Sequence, residues 1–211
     1  MNKQLQELLI ATSNQGKVTE IKSALGDLPL ELRLLQNYSP IAPPDENGTS
    51  YEENAILKAA AYAGHTGCWA LADDSGLEVE YLQGAPGLKS ARFGGPSDSD
   101  RVDLLLSKLT EAGAHQREAR FVCVVAIVDS EATVLNIARG ECTGTIAQAP
   151  AGNGGFGYDP IFIPQGYASS FGELPIEVKD RTSHRALALA ATRAFLMSFL
   201  DGNLTASEAG S

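Results

Sequence analysis

The sequence predicts an α/β fold on three observations. The chain opens as strand, turn, helix, strand between Leu8 and Leu34. Ala119 to Val128 is almost wholly apolar, as a central strand should be. Helical and strand periodicities then alternate along the rest of the chain, with no repeat and no linker long enough to separate independent domains.

The elements follow in order. Leu8 to Thr12 reads as a short buried strand, and Ser13-Asn14-Gln15-Gly16 as the turn after it. Val18, Ile21, Leu25 and Leu28 recur every three or four residues, the spacing of an amphipathic helix. Leu30, Leu32 and Leu34 alternate with Glu31 and Arg33, which makes a strand. Residues 39–49, with three prolines and Gly48, are loop. Ser50 followed by Glu53 is a capping box that opens a helix over Tyr51 to Ala63. Trp69 to Ala72 is a short strand, Asp73-Asp74-Ser75-Gly76 a break, and Leu77 to Tyr81 a second strand by alternation.

Turns are expected at Gly84–Gly87 and Gly94–Pro96. Ser97 with Asp100 then caps a helix carrying Val102, Leu105, Leu106 and Leu109. After the central strand, Ala132–Ala138 and Gly140–Ala147 read as two further strands. A Gly-rich stretch, Gly152 to Gly157, precedes a short strand at Pro160–Ile163. Ser183 opens a last helix with Leu187, Ala191, Ala194 and Phe195 on one face. The reading gives one two-lobed domain over 1–200 and a disordered tail over 201–211.

Composition narrows the function. The 211 residues carry 26 acidic and 16 basic side chains, a formal charge of −10. Such a surface repels a nucleic-acid backbone, so duplex DNA or RNA is excluded as a partner, whereas a small polyphosphate held with a divalent metal is not. The three cysteines, Cys68, Cys123 and Cys142, have neither disulfide-framework nor zinc spacing and are expected to be buried apolar groups in a reducing compartment. No apolar run reaches membrane-spanning length, and Leu8–Ala11 is too short for a signal segment, which together read as a soluble cytoplasmic protein without a membrane partner.

Five constellations carry chemical potential. Thr12, Ser13, Asn14, Gln15, Gly16 and Lys17 leave a strand and enter a helix, where backbone N–H groups and the helix dipole favour phosphate. The Walker pattern fails there, since Ala11 and Val18 replace its first Gly and its Ser/Thr, and an ordinary N-cap is the competing account. Asp73-Asp74-Ser75-Gly76 offers paired carboxylates suited to Mg²⁺ or to a water, or else a simple Asx turn.

Asp45-Glu46-Asn47-Gly48, followed by Glu52, Glu53, Asn54 and Lys58, is either a solvated face or a source of further metal contacts. Phe156 and Tyr158, between Gly155, Gly157 and Asp159, supply a base platform or core-filling aromatics. Lys179 with Ser183-His184-Arg185 gathers donors suited to phosphate or a purine carbonyl. Together these are the parts of a metal-assisted nucleotide hydrolase.

The sequence also resembles the inosine triphosphate pyrophosphatase family. The matching stretches are ATSNQGKVTEI, NGTSYEENAILKA, ADDSGLEV with GAPGLKSARF, GFGYDPIF and SHRALAL, in order from about residue 8 to about residue 195. The resemblance implies an elongated mixed β-sheet with helices forming two lobes around a central nucleotide-binding cleft. It implies a homodimer, Mg²⁺ as cofactor, and water attack on the α-phosphorus of ITP, dITP or XTP.

Carried over by position, the resemblance gives Thr12 to Lys17 the triphosphate. Asp74 becomes proton acceptor and metal ligand, with Ser75 at the substrate. Phe156, Gly157, Tyr158 and Asp159 line the base site, and Lys179, His184 and Arg185 bind base and phosphates. Asp45 stands where relatives carry Glu. It ligates the metal directly or through water, or Glu46 takes its place. The competing readings are a related house-cleaning pyrophosphatase for pyrimidine or modified nucleotides, and a nucleotide-binding module without catalysis.

Overall fold

The computed structural model describes residues 6–111, 113 and 115–208. Six strands form one mixed sheet in the order β2-β1-β3-β4-β5-β6. They are β1 (Gln6–Ile10), β2 (Leu30–Leu34), β3 (Trp69–Val79), β4 (Glu118–Val128), β5 (Val134–Ile146) and β6 (Phe162–Pro164). The helices are α1 (Gln15–Leu25), α2 (Tyr51–Thr66), α3 (Asp98–Glu111), α4 (Ile176–Thr182) and α5 (His184–Glu208). β1 pairs in parallel with β2 and β3, so each link is a crossover and α1 and α2 supply those crossovers. β5 and β6 pair antiparallel.

The chain divides into two compact units. One comprises Met1–Asp74, Val124–Arg139 and Ala188–Ser211, and the other Ser75–Cys123 and Gly140–Leu187. In the first, Leu8, Leu9, Ile10, Ile21, Leu25, Leu71 and the run Val124–Val128 are buried. Trp69 packs on Phe199 with ring centroids 4.7 Å apart, and Arg193 donates to the carbonyl of Ala24 (2.9 Å) and to Asp27 (2.7 Å). Cys68 is half-buried there, with Sγ 3.1 Å from Glu7 Oε2 and 3.2 Å from the Tyr38 hydroxyl. In the second unit, Leu77, Val79, Val102, Leu105, Leu109, Phe121, Cys142, Ile161, Phe162 and Phe171 make one core. Each such aliphatic or aromatic side chain contributes about 1.5–3 kcal/mol by leaving water. No disulfide joins the three cysteines, and Cys123 and Cys142 are buried as the sequence suggests.

Local chemistry sets the helix boundaries as expected. Asn14 caps α1, and Ser50 caps α2 by accepting from the Glu53 N–H at 3.1 Å. Gly67, at φ 72°, ends α2 in the left-handed conformation that glycine alone adopts cheaply. Ser97 and Asp100 bond each other's backbone N–H at the start of α3.

The structure departs from the sequence reading in four places. Asp73 to Gly76 is not a break: β3 runs unbroken from Trp69 to Val79, because ladder pairing on both sides overrides the turn preference of Asp, Ser and Gly. The two strands expected over 132–147 are one, β5, joined to β4 by a turn in which Asp129 accepts from the N–H groups of Glu131 and Thr133. α5 buries Ala188, Leu189, Thr192 and Leu196, while Leu187, Ala191 and Ala194 face outward; in an alanine-rich helix two neighbouring stripes satisfy the same spacing. Past Asp201 the chain stays helical to Glu208, since the segment contains no proline and Gly202 alone does not stop a helix. Residues 209–211 lie outside the described residues.

Candidate functional site

The first unit gathers its charged groups on three segments: the turn into α1, one face of α2, and the middle of β3. The α1 turn is built by its own side chains. Thr12 Oγ1 accepts from the Asn14 N–H (3.2 Å), and Asn14 Oδ1 accepts from the Lys17 N–H (3.1 Å). Ser13, Asn14 and Gln15 are exposed, and no acidic residue occupies the first turn, so no carboxylate there offsets the positive end of the helix dipole. Lys17 leans back from this turn to β3, with Nζ 2.9 Å from Asp73 Oδ2. The Asp73 side chain is 1 % exposed, so this pair sits largely out of water.

Asp74 is held by α2. Asn54 and Lys58 are one helical turn apart and share a face. Asn54 Oδ1 accepts from the Gly48 N–H at 2.9 Å, which fixes the amide orientation, and its Nδ2 then donates to Asp74 Oδ2 at 3.1 Å. Lys58 Nζ lies 3.4 Å from Asp74 Oδ1 and 2.8 Å from Glu46 Oε1. Burial raises the pKa of Asp74 above the usual carboxylate range, and Lys58 and Asn54 only partly oppose it. Burial alone would lower that of Lys58, but Asp73, Asp74 and Glu46 together outweigh it and keep the ammonium charged.

Of the acidic loop, Glu46 is the residue joined to this network through Lys58, while Asp45 is exposed. Glu46 and Asp74, both paired with Lys58, offer only carboxylate oxygens, which suit a hard cation. Among the described residues no three His, Cys, Asp or Glu side chains form a ready cage. Mg²⁺ does not require one, since one or two carboxylates suffice when phosphates and water complete its shell. The sequence offered Asn54 and Lys58 only as a solvated face or a source of further metal contacts, whereas in the structure both contact Asp74 directly. The signal for them was their i, i+4 spacing behind a capped helix start, legible only once β3 is known to lie beside them.

The second unit gathers the aromatic and basic residues. Phe156 is half-buried in a loop between Gly155 (φ 73°) and Gly157 (φ 63°). Its N–H donates to Asp159 Oδ2 at 2.8 Å, and Lys179 Nζ donates to the same oxygen at 2.6 Å. Lys179 Nζ stands 4.5 Å from the centre of the Phe156 ring, and the Arg185 guanidinium carbon 5.7 Å from it. Arg185 also donates to Ser75 Oγ at 2.9 Å. His184 stacks on Phe121 at 4.5 Å with nearly parallel rings.

Phe156, Asp159, Lys179, Arg185 and Ser75 are thus linked by direct contacts among themselves, while the Gly157 N–H donates to Asp98. Tyr158 is different: its ring is in the core and its hydroxyl donates to the Ser90 carbonyl at 3.0 Å. Burial pushes that phenol up to about 12. Tyr158 therefore braces the loop from beneath, the core-filling alternative, while Phe156 keeps the accessible ring. No sequence signal pointed to Phe121, which lies 63 positions before His184 and meets it only in the fold.

The chain is similar to known proteins over most of its length. Residues 8–195 match the model of the Ham1 family. The chain is 44% identical over 198 residues to a dITP/XTP pyrophosphatase of an Exiguobacterium species, covering 93% of this chain and 100% of that one. It is 47% identical over 190 residues to a dITP/XTP pyrophosphatase of Deinococcus deserti, covering 90% and 88%. Among solved structures, a HAM1 protein of Coxiella burnetii superposes with TM-score 0.84 at 35% identity, covering 92% of this chain and 100% of that chain. The Staphylococcus aureus Ham1 protein gives 0.81 at 37% identity, covering 92% and 99%.

Proposed function

The chain belongs to the Ham1 family, and from that membership we propose that it hydrolyses the non-standard purine triphosphates dITP, ITP and XTP to monophosphate and pyrophosphate, clearing them from the nucleotide pool. The observation that carries the reading is the pair Asp73–Asp74 in mid-strand, each carboxylate set against a lysine. Adjacent buried acids are costly unless cations compensate them, so the arrangement suits a cation-bound triphosphate better than an apolar ligand.

The first unit is assigned the phosphates. Lys17 and the α1 turn, Thr12 to Gly16, bind triphosphate oxygens. Asp74 with Glu46 would hold Mg²⁺, and Glu46 is preferred to Asp45 because it already shares Lys58 with Asp74. Bound there, Mg²⁺ would supply positive charge against the negative charge developing on the pyrophosphate leaving group. Asp74 accepts the proton of the attacking water, for which a carboxylate made more basic by burial is suited. Asn54 fixes the Asp74 plane, and Lys58 holds the acid close.

The second unit is assigned the base. Phe156 stacks on it, with Lys179 and Arg185 over the Phe156 ring and His184 held flat by Phe121. Gly157 and Asp159 shape the loop, and Ser75 seats Arg185. Hypoxanthine and xanthine present a 6-oxo acceptor where adenine presents an amino donor. A donor-lined site therefore leaves adenine with a buried unmatched donor, at about 1–3 kcal/mol, or roughly five- to 150-fold.

The same reading carries a homodimer and a cytoplasmic location from the family resemblance. Among the described residues no helix is long and apolar enough to cross a membrane.

Product analysis with ITP, XTP, ATP and GTP, each with and without Mg²⁺, tests the proposal. Monophosphate plus pyrophosphate from ITP or XTP, dependent on Mg²⁺, is the expected result. Orthophosphate release would mean that a different bond is cut. Preference for a pyrimidine or modified triphosphate would transfer the protein to the neighbouring house-cleaning activity.

A further inference from the structure

We propose that Asp98, the first residue of α3, is a positioning residue that sets the orientation of Phe156; the proposal rests on reading Phe156 as the base platform. Two consecutive backbone N–H groups of the loop are held by two carboxylates from different elements. The Phe156 N–H is taken by Asp159 Oδ2 at 2.8 Å, and the Gly157 N–H by Asp98 Oδ2 at 2.6 Å. The peptide planes on either side of the Phe156 side chain are thereby both fixed.

The loop needs this restraint. Gly155 and Gly157 flank Phe156 in left-handed conformations, at φ 73° and 63°. Glycines impose the least preference of their own on the chain, so a ring between two of them has no intrinsic direction. Asp98 can supply one because its own place is fixed. The reciprocal bonds between Ser97 and Asp100, at 3.1 and 3.2 Å, set where α3 begins. Arg101, one turn on, pairs with Asp98 Oδ1 and also donates to the carbonyls of Pro96 (3.0 Å) and Gly95 (3.3 Å). The helix start is thus a firm anchor, and Asp98 extends it to the loop without touching the base.

Chemistry at Asp74 does not depend on this tether, so the effect belongs in substrate binding. The full chain is compared with Asp98→Ala and Asp98→Asn, using ITP with Mg²⁺ for kinetics and amide hydrogen exchange at Gly157 as a readout independent of turnover. Asp98→Ala should raise KM on the order of tenfold, with kcat within about twofold. Exchange at Gly157 should accelerate by a similar factor. Asp98→Asn, whose Oδ1 accepts the same N–H, should restore most of both.

Unchanged KM with unchanged exchange in Asp98→Ala overturns the proposal. So does a fall in kcat matching the rise in KM that Asn does not rescue, which would mark a purely structural role. Phe156→Leu, run alongside, separates the two readings. Unchanged KM in Phe156→Leu removes the base platform and the role of Asp98 with it. Raised KM there with unchanged KM in Asp98→Ala overturns the role of Asp98 alone.

Discussion

Asp74 answers two opposed demands. In the proposed role it must be ionised to accept a proton, yet it is largely withdrawn from water, and that withdrawal raises its pKa. An acid whose pKa is raised by folding adds stability only below its unfolded value, near 4, and loses it as pH climbs through the folded value. At neutral pH the ionised group is therefore a net burden on the fold. Asp74→Asn should abolish turnover by about a hundredfold or more while the melting temperature holds or rises. Steady-state kinetics with calorimetry checks both halves, and a large drop in melting temperature would contradict them. In the wild type, kcat/KM should begin to fall on the acid side at a pH above the ordinary carboxylate range. Lys17 shows the opposite balance. Its removal in Lys17→Ala takes away a cation 2.9 Å from Asp73, whose side chain is 1 % exposed. The expected loss is about 3 kcal/mol in urea unfolding, in addition to weaker substrate binding.

At the scale of elements, two helix starts were legible because capping is local: Ser50 and Ser97 each signal a boundary by what lies three residues on, whereas α1 begins at Gln15, inside the stretch read as a turn. The middle of β3 was not, because Asp-Asp-Ser-Gly has turn chemistry and only its neighbours in the sheet hold it extended. The Phe156 loop was half legible. Its glycines announced an exposed aromatic, but nothing local distinguishes Phe156 from Tyr158; the core around Ser90 and Phe162 makes that choice.

The loop also yields a contrast. A Cβ at Gly155 would lie 2.0 Å from Asp159 Oδ2, in addition to its positive φ, whereas one at Gly157 meets nothing within 4 Å. Gly155→Ala should displace Asp159 and destabilise by about 2–3 kcal/mol, with KM raised. Gly157→Ala carries only the left-handed strain, about 1 kcal/mol. Equal losses in a denaturant titration would show that the Asp159 contact is not what makes Gly155 necessary.

At the scale of the molecule, the net charge of −10 argues against a nucleic-acid backbone but could not reveal where cations gather. Lys17 and Lys58 meet the acids in one unit, and Lys179 and Arg185 meet Phe156 in the other. Those meetings join residues far apart in sequence, which is why the resemblance carried more of the site than spacing did.

The cysteines bear on how the protein can be handled. Cys123 and Cys142 are sealed in the cores, the second with its thiol pushed up to about 11 by burial, while Cys68 alone is partly open. A thiol-reactive dye should therefore attach to the native chain once, and slowly, because burial also raises the Cys68 thiol. All three cysteines should react in guanidinium. The wild-type sequence is thus already a singly addressable scaffold: a fluorophore can be seated in the first unit, beside Glu7 and Tyr38, without prior cysteine engineering.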